Sequence, residues 1–267
     1  MRRIEVLALG ADPEVFLVNA KNEPMSAEGL FGGTKREPKP MEGLGNGFFI
    51  QEDNVAAEYN IPATESVELW AKHLQKGLGY IRKVAKKHKL KPFLAPSLDF
   101  PIEQLMTKQA MELGCDPDFN AWTQQKNPRP RPPEQMRTAA GHVHVSWNNP
   151  DDEQRWALVR ALDVFLGLPS ILVTAPNERR KLYGRAGACR LKPYGAEYRV
   201  LDNFYLGDYK LSIKIGSSVY DAAHILNNQP LINKEIIKQG PLIQRAINDH
   251  DQKLAAELVD HFNVVVF

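Results

Sequence analysis

The sequence predicts an α+β protein built on a mainly antiparallel sheet with its helices on one face. Two observations carry that expectation. Stretches with strand patterning and stretches with helical patterning are interspersed along the chain, not segregated. The strand stretches alternate polar and apolar side chains, as a sheet does when one face is packed and the other left open. With 267 residues, 43% of them hydrophobic and 25% charged, the chain can bury a sizeable core, as one large domain or two small ones.

Residues 4–18 read as a β segment interrupted between Gly10 and Pro13. Residues 29–47, rich in Gly, Pro and Lys, read as a mobile, solvated loop. Residues 48–61 read as one bent strand or two short ones. The clearest helix spans 64–89. Thr64 or Ser66 can cap it, Glu65 and Glu68 suit its first turn, and Trp70, Leu74, Leu78, Ile81 and Ala85 form one apolar stripe. Its last turns carry Arg82, Lys83, Lys86, Lys87 and Lys89, which suit a helix C-terminus and a solvated face. Prolines exclude regular structure from 127–134 and leave a stiff surface loop. Residues 138–147 alternate as a strand. Residues 151–167 read as a helix with Trp156, Val159, Leu162, Val164, Phe165 and Leu166 inward. A long loop over 175–193 leads to a strand at 194–201. Residues 208–228 and about 230–262 read as helical, with a break near Gly240-Pro241.

Several function classes are disfavoured at once. A formal net charge of +2 gives no reason to expect nucleic acid. Cys115 and Cys189 lie in no ligand spacing, which fits a reducing cytoplasm and not a disulfide scaffold. The N-terminus lacks a signal-peptide pattern, and no stretch approaches the roughly 18 apolar residues of a membrane span.

The residues that can carry chemistry recur at a spacing of two, and residues two apart in a strand share a face. Asp12 pairs in this way with Glu14, and His142 with His144, alongside Thr138 and Ser146. Glu197 pairs with Arg199. Glu52, Asn54, Glu58 and Asn60 share parity if their strand is continuous. Each pair alone has a plainer reading: a solvated edge for Asp12 and Glu14, two partly buried histidines, a cross-strand ion pair for Glu197 and Arg199. Together they make a floor too costly to bury without partners. Oxygen ligands with one or two imidazoles suit hard cations, Mg²⁺ or Mn²⁺, better than a closed zinc site. Residues 179–199 add Arg179, Arg180, Lys181, Arg185, Arg190, Lys192 and Arg199, interleaved with Gly184, Gly187 and Gly195. Guanidinium forks match phosphate and carboxylate oxygens. Metal-binding acids beside such arginines are the parts of a phosphoryl-transfer site. The chain has no Walker A motif, dinucleotide fingerprint or kinase catalytic loop.

In their order, these motifs resemble the glutamine synthetase and glutamate–cysteine ligase superfamily, and within it the phage-type carboxylate–amine ligases, or amidoligases. The resemblance runs from Gly10 to about Asn203. Gly10-Ala-Asp-Pro-Glu-Val-Phe-Leu resembles the family's opening strand, G-x-E-x-E-F-F-x-F, with Asp12 in place of its first Glu. Ala140-Gly-His-Val-His-Val-Ser resembles G-x-H-x-H-x-S, and Ala196-Glu-Tyr-Arg resembles R-x-E-x-R. The resemblance implies that Asp12, Glu14, His142 and Glu197 bind metal. Two further metal-binding glutamates are expected, for which Glu52 and Glu58 are the candidates, Glu58 the better. By the same resemblance His144 approaches the ATP phosphates, and Arg199 holds phosphate or the substrate carboxylate. Arg185 and Arg190 are expected to bind the acyl substrate and nucleotide phosphate, and Lys192 to join them at the nucleotide. The phrase Gly114-Cys-Asp-Pro-Asp-Phe-Asn-Ala-Trp122 also resembles phage-type members, or is simply a turn with Phe119 and Trp122 buried.

The resemblance implies an α+β fold like the glutamine synthetase catalytic domain, with residues 1–267 forming a single catalytic domain. It also implies an ATP-dependent ligase that activates a carboxylate as an acyl phosphate and joins it to an amine with two or more divalent ions. Substrates would be small-molecule or peptide carboxylates and amines, in a cytoplasm, and the phage-type relatives suggest that of an infected bacterium. The chain opens directly on the catalytic strand, so the N-terminal β-grasp domain of glutamine synthetases is expected to be absent, and with it any reason to expect their large ring or ammonia as the amine. Oligomeric state is left open. A metal-dependent amide hydrolase and a non-catalytic binding module on the same fold are the alternatives. The hydrolase has no use for the arginines.

Overall fold

The computed structural model describes residues 1–111, 118–229 and 231–267. The first β segment divides at Asp12-Pro13 into β1 (Val6–Ala11) and β2 (Glu14–Val18), since proline cannot donate to a ladder. Two short strands follow, β3 (Pro24–Met25) and β4 (Lys39–Pro40). The stretch 29–47 is better anchored than its composition predicts: Phe31 and Met41 are buried, and β4 pairs with the next strand. That strand, β5 (Phe49–Asp53), forms a hairpin with β6 (Ala56–Thr64). Asn54, with φ of 58°, makes the reversal, so the segment 48–61 is two strands and not one.

Helix α1 (Val67–Lys87) begins where the Ser66 side chain accepts the Leu69 amide. Trp70, Leu74, Leu78, Ile81 and Ala85 are all buried, as the stripe predicts. Burial of each large apolar side chain stabilises by about 1.5–3 kcal/mol. Gly77 is required in this helix, because a Cβ there would sit 2.2 Å from the Tyr59 ring.

Strands β7 (Lys91–Phe93) and β8 (Ser97–Asp99), the short helix α2 (Lys108–Met111), and β9 (Phe119–Asn120) and β10 (Gln125–Lys126) come next. Residues 114–117 of the Gly114–Trp122 phrase lie outside the described residues. Phe119 and Trp122 are half-buried, and the Trp122 indole donates to Asp163. The strand predicted over 138–147 is two pieces. Strand β11 (Met136–Thr138) pairs with β8, while β12 (Val143–Trp147) joins the main sheet.

Helix α3 (Asp152–Leu162) starts on an Asp151 capping box, then passes through a π-helical turn, Asp163–Gly167, into α4 (Leu168–Val173). This run, Asp152–Val173, is long and apolar enough to cross a membrane by length and composition, contrary to expectation. It is a core helix, with 89% of its apolar window buried. The predicted loop at 175–193 holds α5 (Glu178–Leu182) and β13 (Ala188–Lys192), ahead of β14 (Gly195–Tyr198). At the C-terminus, α6 (Tyr209–Asn228) precedes α7 (Ile232–Asn248), which continues through Gly240-Pro241. The break falls instead at 249–251, before α8 (Gln252–His261), where His250 takes φ of 54°.

The main sheet runs β10-β9-β13-β14-β12-β1-β6-β2-β3, with β5 and β4 branching from β6 and β7 from β2. Every pairing is antiparallel among the described residues. Helices α1, α3 and α6 pack against one sheet face, where Val143, Val145, Trp147, Ala196 and Tyr198 are buried in the main core. The predicted α+β fold class holds. The polar residues of the same strands therefore project from the other face.

Candidate active site

Register explains why distant residues meet. On one face, Arg190 of β13 opposes Glu197 of β14, Glu197 opposes His144 of β12, and His144 opposes Gly10 of β1. The glycine leaves the row open, and Asp12 follows at the end of β1. Asp12 Oδ1 lies 3.0 Å from both His142 Nδ1 and His144 Nε2. Asp12, His144 and Glu197 bring ligand atoms within 4.8 Å of one another, and His142 Nδ1 is 3.7 Å from Glu197.

Further along the same face, Glu14 of β2 opposes Glu58 of β6, and Glu58 opposes Gln51 of β5. Asp53, two residues beyond Gln51, joins them, and the carboxylates of Glu14, Asp53 and Glu58 also lie within 4.8 Å of one another. Like charges directly opposite are destabilising in a sheet.

Asp53 is the acid that sequence reasoning missed, and Glu52 is the one it misassigned. Because Asn54 turns the chain, Glu52 opposes Ala57 and points to the reverse face. There its carboxylate accepts the amides of Gly29, Phe31 and Gly32. The parity argument needed a continuous strand, and the hairpin removes it.

The cations divide similarly. Glu197 is fully buried and contacts Arg199 Nη1, Arg190 Nη1 at 3.2 Å and Lys192 Nζ at 2.9 Å. Arg199 also lies 3.6 Å from Asp118. Arg185 does not join them: it is exposed and donates to the Lys181 carbonyl. Nearby Arg179 and Arg180 turn inward instead, Arg179 donating to the carbonyls of Val200 and Arg199 and Arg180 to the Ser170 hydroxyl. The predicted loop concealed helix α5, which turns Arg179 inward and ends before Arg185.

Two cavities meet at this floor. The larger, about 350 Å³, is bordered by Asp12 and His142, by Glu14, Asp53 and Glu58, and by Lys35, Arg190, Lys192 and Arg199. The smaller, about 90 Å³, has Arg179, Tyr183, Thr138 and Arg137 on its walls. Glu14, Asp53, His142 and Arg199 border both. His142, although 2% exposed, thus faces cavity space.

Electrostatics separates the two groups. Burial would raise the Asp12 carboxyl, but His144 and His142 hold it well below the usual carboxylate range. Burial opposes the charge of Glu197 too, but Arg199, His142 and His144 together outweigh it, so this carboxyl is lowered. Burial and Arg199 bring His142 down to about 4, neutral and able to offer a lone pair. Burial also disfavours a charged His144, but Asp12 raises it overall. In the other group, burial and Asp53 push Glu14 up to about 7. Burial, Asp12, Asp53 and Glu14 raise Glu58 well above its ordinary value.

The donor set fits hard divalent cations. Glu14 and Glu58, crowded against Asp53, have too little positive charge nearby to offset burial and repulsion, and buried His142 Nε2 has no hydrogen-bond partner among the described residues. Oxygen with some imidazole is the ligand mixture of Mg²⁺ and Mn²⁺.

This sheet floor of acids and imidazoles with a cationic wall defines a class of site, one with ligands for cations beside partners for an anion. Residues 132–263, just under half of the chain, match the family model described as phage phiEco32-like COOH.NH2 ligase-type 2. The resemblance read from the motifs is thus borne out on the segment that carries His142, His144, Glu197 and Arg199. Among solved structures, a GmaS/ADP complex in its conformation 1 is 12% identical at a TM-score of 0.46, the match covering 97% of this chain and 71% of that one. Apo GmaS without ligand is 11% identical at 0.47, covering 97% and 70%. A novel glutamine synthase homolog is 13% identical at 0.43, covering 96% and 66%. No curated protein matches the chain.

Proposed function

We propose that residues 1–267 work as one ATP-dependent ligase unit that joins a carboxylate to an amine. The observation that carries this reading is the three-acid group Glu14, Asp53 and Glu58 beside Arg190, Lys192 and Arg199 in one cavity. Acids that crowd at such cost call for cations, and cations on the adjoining wall call for an anion long enough to touch both. A nucleotide triphosphate meets both demands. The family match supplies the reaction class.

In this reading Asp12, His142, His144 and Glu197 hold one divalent ion, and Glu14, Asp53 and Glu58 hold another. Bound there, Mg²⁺ or Mn²⁺ neutralises phosphate charge as a Lewis acid. Arg190 and Lys192 grip the phosphates. Arg199, which borders both cavities, steadies the phosphoryl group as its bond to the ADP oxygen breaks and a bond to a substrate carboxylate oxygen forms. Arg179 and Tyr183 line the smaller cavity, where the carboxylate substrate can sit. The amine then attacks the acyl carbon, a C–N bond forms, the C–O bond to phosphate breaks, and the departing phosphate takes up the proton that the nitrogen loses. Carboxylate and amine partners are small molecules or peptides. A cytoplasmic setting belongs to the same reading.

The test is ADP release from ATP across paired carboxylates and amines, with Mg²⁺ and with Mn²⁺. ADP release that requires both partners and the metal is the expected result. Amide hydrolysis without nucleotide contradicts the proposal.

A further inference from the structure

Glu52 stands apart from both carboxylate groups, and its surroundings account for it. Its Oε1 accepts the amides of Phe31 and Gly32, each at 2.7 Å, and its Oε2 accepts that of Gly29 at 2.8 Å. Three amides of one short turn converge on a single carboxylate, an anion nest filled by the protein's own side chain. The next residue is pressed onto β5 as well. The Glu52 amide donates to the Gly33 carbonyl at 2.9 Å, and a Cβ at Gly33 would lie 2.1 Å from the Ile50 oxygen.

A closed turn follows. The Thr34 amide donates to the Glu37 carbonyl, and the Glu37 amide donates to the Thr34 hydroxyl, each at 3.1 Å. Lys35 and Arg36 lie at its tip. Beyond it, β4 pairs Lys39 with Ile50 and Pro40 with Phe49. The turn is therefore clamped before and after its tip, and Lys35 and Pro38 border the larger cavity. Arg190 and Lys192 of β13, and Arg199 just past β14, reach that cavity from the other side of the row of strands. Between the two cationic sides lies the acidic floor.

We propose that Lys35 is a phosphate-binding residue acting from the side opposite Arg190 and Lys192, and that Glu52 is a positioning residue holding the turn that carries it. This rests on the nucleotide reading above. It assigns Glu52 a task without contact to metal or substrate, and it gives the 33–38 turn a part in binding.

ADP titrated calorimetrically in the presence of Mn²⁺ tests both halves, using the wild-type chain, Lys35→Gln, Lys35→Arg, Glu52→Gln and the Lys35→Gln/Glu52→Gln double variant. A charge-assisted contact to phosphate is worth about tenfold in affinity. Lys35→Gln is expected to weaken ADP by about that factor, and Lys35→Arg to restore most of the loss. Glu52→Gln should weaken ADP alone but add nothing in the Lys35→Gln background, a result that general loosening of the fold would not give. Wild-type affinity in Lys35→Gln overturns the lysine assignment, and an undiminished Glu52→Gln effect in the double variant overturns the positioning role. Lys35 is exposed, so its variants report even if Glu52→Gln folds poorly. If the wild-type chain binds no ADP with metal, the nucleotide reading falls as well; if it binds and Lys35→Gln matches it, this inference alone falls.

Discussion

Two carboxylate groups share one sheet face and are balanced in opposite ways. Glu197 is surrounded by Arg199, Arg190 and Lys192, and Asp12 by two imidazoles. Both acids are lowered. Glu14, Asp53 and Glu58 face one another, and Glu14 and Glu58 are raised. The first group is balanced by its own neighbours before any ion binds. The second stores repulsion that a cation would relieve. A site built to receive ions, and not merely to be packed, is expected to carry such a debt.

Removing one acid from each group should therefore act in opposite directions on the metal-free fold. Glu197→Gln leaves three cations facing a neutral amide, and breaking a buried pair costs about 3–5 kcal/mol. Its Tm should drop steeply, and metal-dependent ATP turnover should fall on the order of 10²–10³-fold or more. Glu58→Gln removes a repulsion, so the metal-free Tm should rise, by on the order of 1 kcal/mol of stability. The same variant should lose the stabilisation that metal gives the wild-type chain, about 2.7 kcal/mol at a hundredfold excess over Kd. Thermal melts with and without Mg²⁺ check both. Equal destabilisation by the two substitutions would break the contrast.

A smaller effect comes from the opposite side of the sheet. Asp163 accepts hydrogen bonds from Trp122 and Tyr198, yet burial pushes its carboxyl up to about 7. Its folded value lies above its unfolded value, about 4, so the folded state binds more protons between them. Its stabilising effect is complete below about pH 4 and is lost as pH rises toward about 7. Asp163→Asn should flatten that part of the stability–pH curve relative to wild type. The difference should reach a few kcal/mol at most, since a tenfold change in proton affinity is worth about 1.36 kcal/mol. Urea melts from about pH 4 to about pH 8, spanning that window, measure it, and parallel curves would contradict the assignment.

The balanced group was legible in the sequence because it sits on regular alternation. His142, His144, Glu197 and Arg199 follow a spacing of two, and so do Asp12 and Glu14 across the break at Pro13. The crowded group was half legible. Whether Glu52 or Asp53 shares a face with Glu58 depends on where the hairpin turns, and the left-handed Asn54 that decides it carries no strong signal. A slip of one residue reverses every side chain. Arg185 was misread for a related reason: glycines and arginines made 175–193 look like a loop, whereas packing makes it a helix and a strand. The apolar stripe of α1 needed no such decision. The break near Gly240-Pro241 was a propensity argument that tertiary packing of α7 overrides.

Mn²⁺ bound in the presence of ADP can be counted by calorimetry and electron paramagnetic resonance for wild type, Glu58→Gln and Glu52→Gln. Two or more ions are expected in the wild-type chain, at least one fewer in Glu58→Gln, and an unchanged number in Glu52→Gln. No bound ion in the wild-type chain, or equal loss in both variants, would contradict this expectation.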